Sequence, residues 1–164
     1  MDPSVEHLTV RSVIADVVIR YATGVDTLDG RLLASCFSET VEVDYSPVSG
    51  NPRAVLAREP YLDAMLGRMS GFDSTQHIIA NQTITIADDR RTAISVAYMQ
   101  ATHVVGGRIW TMGGYYTEGF IRSDSTWLIT SIRLDKMWET GHLDLALVAR
   151  DRAAAGSASR RVLR

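Results

Sequence analysis

The apolar period of this chain changes at Gly71, from three-and-four before it to two after it, and that change limits the fold class before any single residue is considered. Val5, Leu8, Val13, Ile14, Val17, Val18, Tyr21, Ala22 and Val25 form one stripe over roughly six helical turns, with Ser4 as the expected cap. Gly24 weakens the last turn and invites a break there. Asp29 is placed to cap a short helix from Gly30 to Phe37, whose face is Leu32, Leu33, Cys36 and Phe37. Val41 to Tyr45 alternates as a strand, Ser46 to Arg58 reads as a loop around Pro47, Gly50 and Pro52, and Glu59 to Met69 is a third helix. From Ser74 onward the spacing predicts strands over Ser74–Ile79 with Thr83–Ala87, Thr92–Val105, Arg108–Arg122 and Thr126–Trp138. Gly106-Gly107 is a two-residue hairpin signal. Helices first and an antiparallel meander afterwards make an α+β fold, with the helices packed on one face of a curved sheet.

At 164 residues the expectation is one domain over 1–150, followed by a flexible, arginine-containing tail over 151–164. A net charge of −2 gives no general attraction to nucleic acid or to an anionic membrane, and neither is expected as a partner. No stretch approaches the roughly 20 apolar residues of a membrane span. The start, MDPSVEHLTV, lacks the basic and apolar runs of a secretory leader. The single cysteine, Cys36, cannot form an intrachain disulfide and reads as a small buried hydrophobe, so a cytoplasmic location is expected.

Tyr21, Asp26, His77 and His103 are a tyrosine, a carboxylate and two imidazoles, sufficient for acid–base chemistry if the fold gathers them. Alone, Asp26 reads equally as a helix-end carboxylate, His77 as a hydrogen-bonded strand residue, and His103 as a partly exposed histidine near the hairpin at Gly106. His103 shares a strand face with Ala93, Ser95, Ala97, Met99, Ala101 and Val105, small side chains that leave room for a ligand. Trp110, Met112, Gly114, Tyr116 and Glu118 share a face of the next strand, which can line an apolar pocket or lie in the core. There is no HxH, HExxH, CxxC, phosphate loop, dinucleotide fingerprint or GxSxG, so neither metal nor cofactor is expected.

Ile14 to Ala22, Val25 to Asp29, Leu33 to Phe37, Ser74 to His77 with Asn81, Gly114 to Tyr116, Phe120 to Arg122 and Trp127 to Ser131 together resemble the SnoaL-like proteins of the nuclear transport factor 2-like superfamily, over about residues 5–141. The resemblance implies a cone-like fold whose strongly curved, mostly antiparallel sheet encloses a pocket. Among that group the set is most similar to scytalone dehydratase, bile-acid 7α-dehydratase and hexachlorocyclohexane dehydrochlorinase. The resemblance implies a catalytic Asp26–His77 pair, Tyr21 on a substrate oxygen, and His103 as acid toward the leaving group. It also implies substrate contacts from Tyr45, and the residues Met99, Trp110, Met112, Tyr116, Arg133 and Trp138 are taken as further substrate-binding candidates. The implied function is a cofactor-independent lyase on a hydrophobic alicyclic, steroid-like or polyketide-like molecule. An isomerase or cyclase would use the same residues. A non-catalytic binder, or a homologue of a ring-hydroxylating dioxygenase small subunit, would not need Asp26 and His77 in contact. A homo-oligomer, a trimer in preference to a dimer, is also implied.

Overall fold

The computed structural model describes residues 3–124 and 126–156, apart from the side chains of 3 and 4. The first helix, α1, spans Pro3–Thr27 and begins ahead of the cap expected at Ser4. It also runs straight through Gly24. A Cβ there would come within 2.7 Å of Leu33 Cγ, so the glycine permits close packing of the next helix rather than a break. Leu28 adopts the left-handed conformation (φ 57°), and the Leu28 and Asp29 amides donate back to the Val25 and Gly24 carbonyls. This paired C-terminal cap ends the helix at Thr27, one residue after Asp26.

Helix α2 is Gly30–Ala34, capped by Asp29, whose carboxylate accepts from the Leu32 amide at 2.9 Å. It is shorter than expected, because Phe37 opens strand β1 (Phe37–Asp44) instead of closing the helix. The stretch expected to be a loop contains a single helical turn, α3 (Ser46–Ser49), and a short strand, β2 (Ala54–Ala57). Every β2 residue is exposed, so it carries no apolar alternation for a sequence reading to detect. Helix α4 is Arg58–Ser70. The strands β3 (Ser74–Ile86), β4 (Thr92–Val105), β5 (Arg108–Ser123) and β6 (Thr126–Gly141) follow. The two runs expected on either side of Asn81 are one strand with an irregularity between Ala80 and Thr83, where Asn81 has φ 49°. Gly106 and Gly107, at φ 57° and 74°, form the expected tight turn between β4 and β5.

The sheet order is β2-β1-β6-β5-β4-β3. Only the β1–β6 pairing is parallel. Strands of 13 to 16 residues, broken in register between Gly113 and Gly114 and between Gly119 and Phe120, curl the sheet strongly. The curl brings both β3 and β6 against α1. Ile14, Val17, Val18, Tyr21 and Val25 of α1 therefore share one core with Phe37, Val41, Met99, Met112, Tyr116, Phe120 and Ile132.

A last helix, α5 (Leu145–Ala154), closes one end of the core with Leu145 and Ala149 against Phe72 and Val105. It passes the expected start of the tail at 151, and Arg152 donates to Asp73 at 2.7 Å. The remainder of the expected tail, 157–164, lies outside the described residues. Among the described residues no helix is long and apolar enough to cross a membrane.

Candidate active site

The last turn of α1 lies on the inner face of β3, and Asp26 reaches across to that strand. One carboxylate oxygen, Oδ1, accepts from the Thr75 hydroxyl at 2.8 Å and lies 2.7 Å from His77 Nδ1. The other, Oδ2, accepts from the His77 backbone amide at 2.7 Å. Burial pushes the Asp26 carboxyl up. The His77 side-chain hydrogen bond and charge, its amide and the Thr75 hydroxyl together outweigh burial and hold the group below the usual aspartate value. Asp26 is therefore an anion that only accepts hydrogen bonds. The network assigns the ring proton to His77 Nδ1 and leaves Nε2 as the basic nitrogen.

His103 stands two residues along the inner face of β4 from Ala101, the partner of His77 across the sheet. Its ring centroid is 5.9 Å from that of His77, with the planes at 83°. It is stacked on Trp110 at 4.5 Å and packs against Phe72 at 4.8 Å. Trp110 is fixed in turn by its indole N–H, which donates to Glu139 at 3.2 Å.

Tyr21 lies just over one helical turn before Asp26. Its hydroxyl is 3.3 Å from that of Tyr45, which is 3.2 Å from that of Tyr61. Tyr116 packs edge-on to Tyr21, with centroids 5.8 Å apart. Burial pushes all four tyrosines up, so each remains a protonated donor near neutral pH.

The fold thus gathers Tyr21, Asp26, His77 and His103 with Tyr45, Met99, Trp110, Met112 and Tyr116 on the inner side of the sheet. It does not gather Arg133 or Trp138. Arg133 alternates with the core residues Ile132 and Leu134, so it points outward and pairs with Asp44 and Asp135. Trp138 is 47% exposed and lies against Gly113, where a Cβ would fall 2.3 Å from the indole. The reason is the register shift: Lys136 pairs with Gly114 and Trp138 with Gly113, so Met137 is the extra residue and the strand's faces exchange after it. Neither residue is placed to touch a ligand bound beside His77.

Three contributors were not singled out from the sequence. Thr75 was readable, since it shares the inner face with His77 at period two. Tyr61 looked like any apolar position of its helix. Glu118 reads from the sequence only as a member of the β5 face, yet it is fully buried and neither carboxyl oxygen has a hydrogen-bond partner among the described residues. It stands opposite Ser95 and Ile132, and burial pushes it up to about 8. Among the described residues no group of three or more His, Cys, Asp or Glu side chains is arranged to hold a metal ion.

The chain matches the SnoaL-like domain over residues 6–133. No curated protein matches it. Among solved structures it is similar to a protein of Kribbella flavida, at 23% identity and TM-score 0.79, over 88% of this chain and 99% of that one. A protein of Novosphingobium aromaticivorans provisionally described as scytalone dehydratase is 22% identical at TM-score 0.73, over 83% of this chain and 89% of that one. A hexachlorocyclohexane dehydrochlorinase is 18% identical at TM-score 0.73, over 85% and 93%.

Proposed function

Since this chain belongs to the SnoaL-like family, we propose that it is a cofactor-independent lyase, of the dehydratase type, acting on a hydrophobic alicyclic, steroid-like or polyketide-like molecule. The observation that supports this reading most is the Asp26–His77 pair, held by three contacts from β3 that fix the imidazole tautomer. His77 Nε2 takes a proton from a carbon beside an activating carbonyl. The electron pair of that C–H bond moves into the carbonyl as an enolate and returns to expel the hydroxyl from the adjacent carbon. Asp26 stabilises the imidazolium that forms. His103, as the cation, gives its proton to the departing hydroxyl, and water leaves. The products are an alkene conjugated to the carbonyl, one water, a protonated His77 and a neutral His103. Proton return between the two rings, directly or through solvent, restores the starting state.

Two similar structures carry eliminating activities in their descriptions, scytalone dehydratase and hexachlorocyclohexane dehydrochlorinase, which is consistent with the same use of the fold. The proposal includes self-association, a trimer in preference to a dimer, in line with the exposed Ile78, Ile94, Tyr98 and Ile109 on the outer sheet face. Incubation with a panel of apolar β-hydroxyketones, read by mass spectrometry, tests the function. A product lighter by one water, lost in His77→Ala, is expected. A product of unchanged mass reassigns the pair to an isomerase. Turnover that survives His77→Ala removes the lyase reading.

A further inference from the structure

An aspartate carboxylate turns easily about the bond to its Cβ, a broad two-fold torsion without steep staggered wells. Its direction is therefore set by what its oxygens are bonded to. For Asp26 the His77 amide holds Oδ2 at 2.7 Å, and the Thr75 hydroxyl holds Oδ1 at 2.8 Å. The two donors sit two residues apart on β3, one on each oxygen. A carboxylate held at both oxygens from one strand has a fixed plane, and here that plane leaves Oδ1 2.7 Å from His77 Nδ1. The amide belongs to the backbone, whereas the hydroxyl depends on which residue stands at 75.

Position 75 also faces the second imidazole. The His77 amide points to Asp26 and away from β4, so His77 and Ala101 form the narrow, non-hydrogen-bonded kind of antiparallel pair. Thr75 and His103 pair two residues along and are of the same kind. In such a pair the Cα atoms stand about 4.5 Å apart and the side chains approach most closely. Threonine suits this place. Its branch at Cβ restricts χ1, so the hydroxyl that reaches Asp26 is held in one direction.

We propose that Thr75 is a positioning residue for the elimination: its hydroxyl turns the Asp26 carboxylate so that Oδ1 meets the His77 ring, and its pairing with His103 fixes that arrangement relative to the second imidazole. Thr75 touches neither the proton that moves nor the leaving group, and acts through Asp26. The inference rests on the elimination reading and adds to it a residue that governs the relation of the two rings, 5.9 Å apart with planes at 83°. The electrostatics agree. Burial pushes the Asp26 carboxyl up, and after the His77 ring and amide the Thr75 hydroxyl is a further donor that brings it down. A hydroxyl given to an anion is also among the stronger kinds of hydrogen bond.

Three substitutions at 75, made in the full chain, test this with two readouts: turnover of the β-hydroxyketone panel, and the NMR signals of the His77 ring without ligand. Thr75→Val keeps the shape and removes the donor. Its kcat should fall by about 10- to 100-fold, as for a catalytic group displaced by a fraction of an ångström, while KM stays within about threefold. Thr75→Ala leaves room for a water in the place of the hydroxyl and should lose less. Thr75→Ser keeps the donor and should recover most of the wild-type rate. The ring signals should be sharp in the wild type and in Thr75→Ser, and broadened by exchange in Thr75→Val, where carboxylate and ring can turn together. Valine holds a strand at least as well as serine, so a loss of fold stability would give a different order. Unchanged turnover in Thr75→Val, a loss carried by KM, sharp ring signals in that variant, or a Thr75→Ser as slow as it, each overturns the proposal. If the wild type turns over no member of the panel, the elimination reading fails and the ring signals decide this one. Broadening confined to the variants without the hydroxyl supports it, and sharp signals throughout overturn it.

Discussion

Asp26 and Glu118 are both carboxyl side chains on the inner side of one sheet, and their surroundings drive them apart. Asp26 is given three hydrogen-bonding contacts from β3 and is held ionised. Glu118 is given none, is sealed between β4 and β6, and is held neutral to about pH 8. Desolvation acts on both, and donors decide the outcome. Divergence of this kind between two carboxyls is how acid and base roles are separated on a single scaffold. Here it also separates an end organised for proton transfer from an end that holds a buried neutral acid.

The sharpest way to break the comparison is to remove the charge at the organised end. Asp26→Asn should lower turnover by about 100- to 10,000-fold with little change in substrate affinity, because the imidazole loses both its tautomer and its counter-charge. Unchanged turnover would make the pair structural.

The next effect is at the other end. The folded-state value of Glu118 lies above its unfolded value of 4.5, so the folded state keeps a proton that the unfolded state gives up. Stability tied to this group is complete below about pH 4.5 and is lost as pH rises to about 8. Over that window the loss is of order 4 to 5 kcal/mol, at about 1.4 kcal/mol per pH unit. Glu118→Gln should flatten it, as read by urea midpoints from pH 5 to 8. Asp26 works in the opposite sense: its lowered value adds stability above the unfolded 3.8 that disappears as pH falls below it.

A smaller effect comes from α5, which covers only the dyad end. A Cβ on Gly71 would meet the Ala149 carbonyl oxygen at 1.8 Å. Gly71→Ala should push α5 away from Phe72 and Val105 at a cost of about 2 kcal/mol. It should shift the His103 ring NMR signals and leave the Glu118 titration in place. The smallest effect is expected at Arg133. Arg133→Ala removes the pairs of a half-exposed guanidinium to Asp44 and Asp135 on the outer side of the sheet, and ligand affinity and turnover should stay within about twofold.

The two ends were also unequally legible from sequence. The stripe of α1 from Ile14 to Val25, the Asp29 cap, the period of two after Gly71 and the Gly106-Gly107 turn all arise from local chemistry, and the structure repeats them. Val5 and Leu8 at the start of the expected stripe are exposed instead, because among the described residues no strand or helix covers them. Asp26 and His77 were visible one at a time, but their contact spans 51 positions and depends on α1 lying against β3. Only the family resemblance could suggest it. Glu118 gave no local sign, because an acid on an apolar strand face looks the same whether or not a donor waits opposite. β2, exposed throughout, had no pattern to read. Trp138 was misplaced for a purely geometric reason, an alternation counted through a residue that the pairing skips.

That skipped residue, Met137, has a consequence beyond Trp138. Before it, the even positions Ile132 and Leu134 of β6 face the core. After it the odd ones do, and Glu139 comes under Trp110 to accept the indole N–H hydrogen bond. The partner on which His103 stacks is therefore oriented by a one-residue change of phase. Were Met137 instead paired regularly with Gly113, Trp138 would fall opposite Met112 and put its indole where the Glu139 carboxylate now stands. The acid end of the site would be lost without altering any residue that touches the substrate.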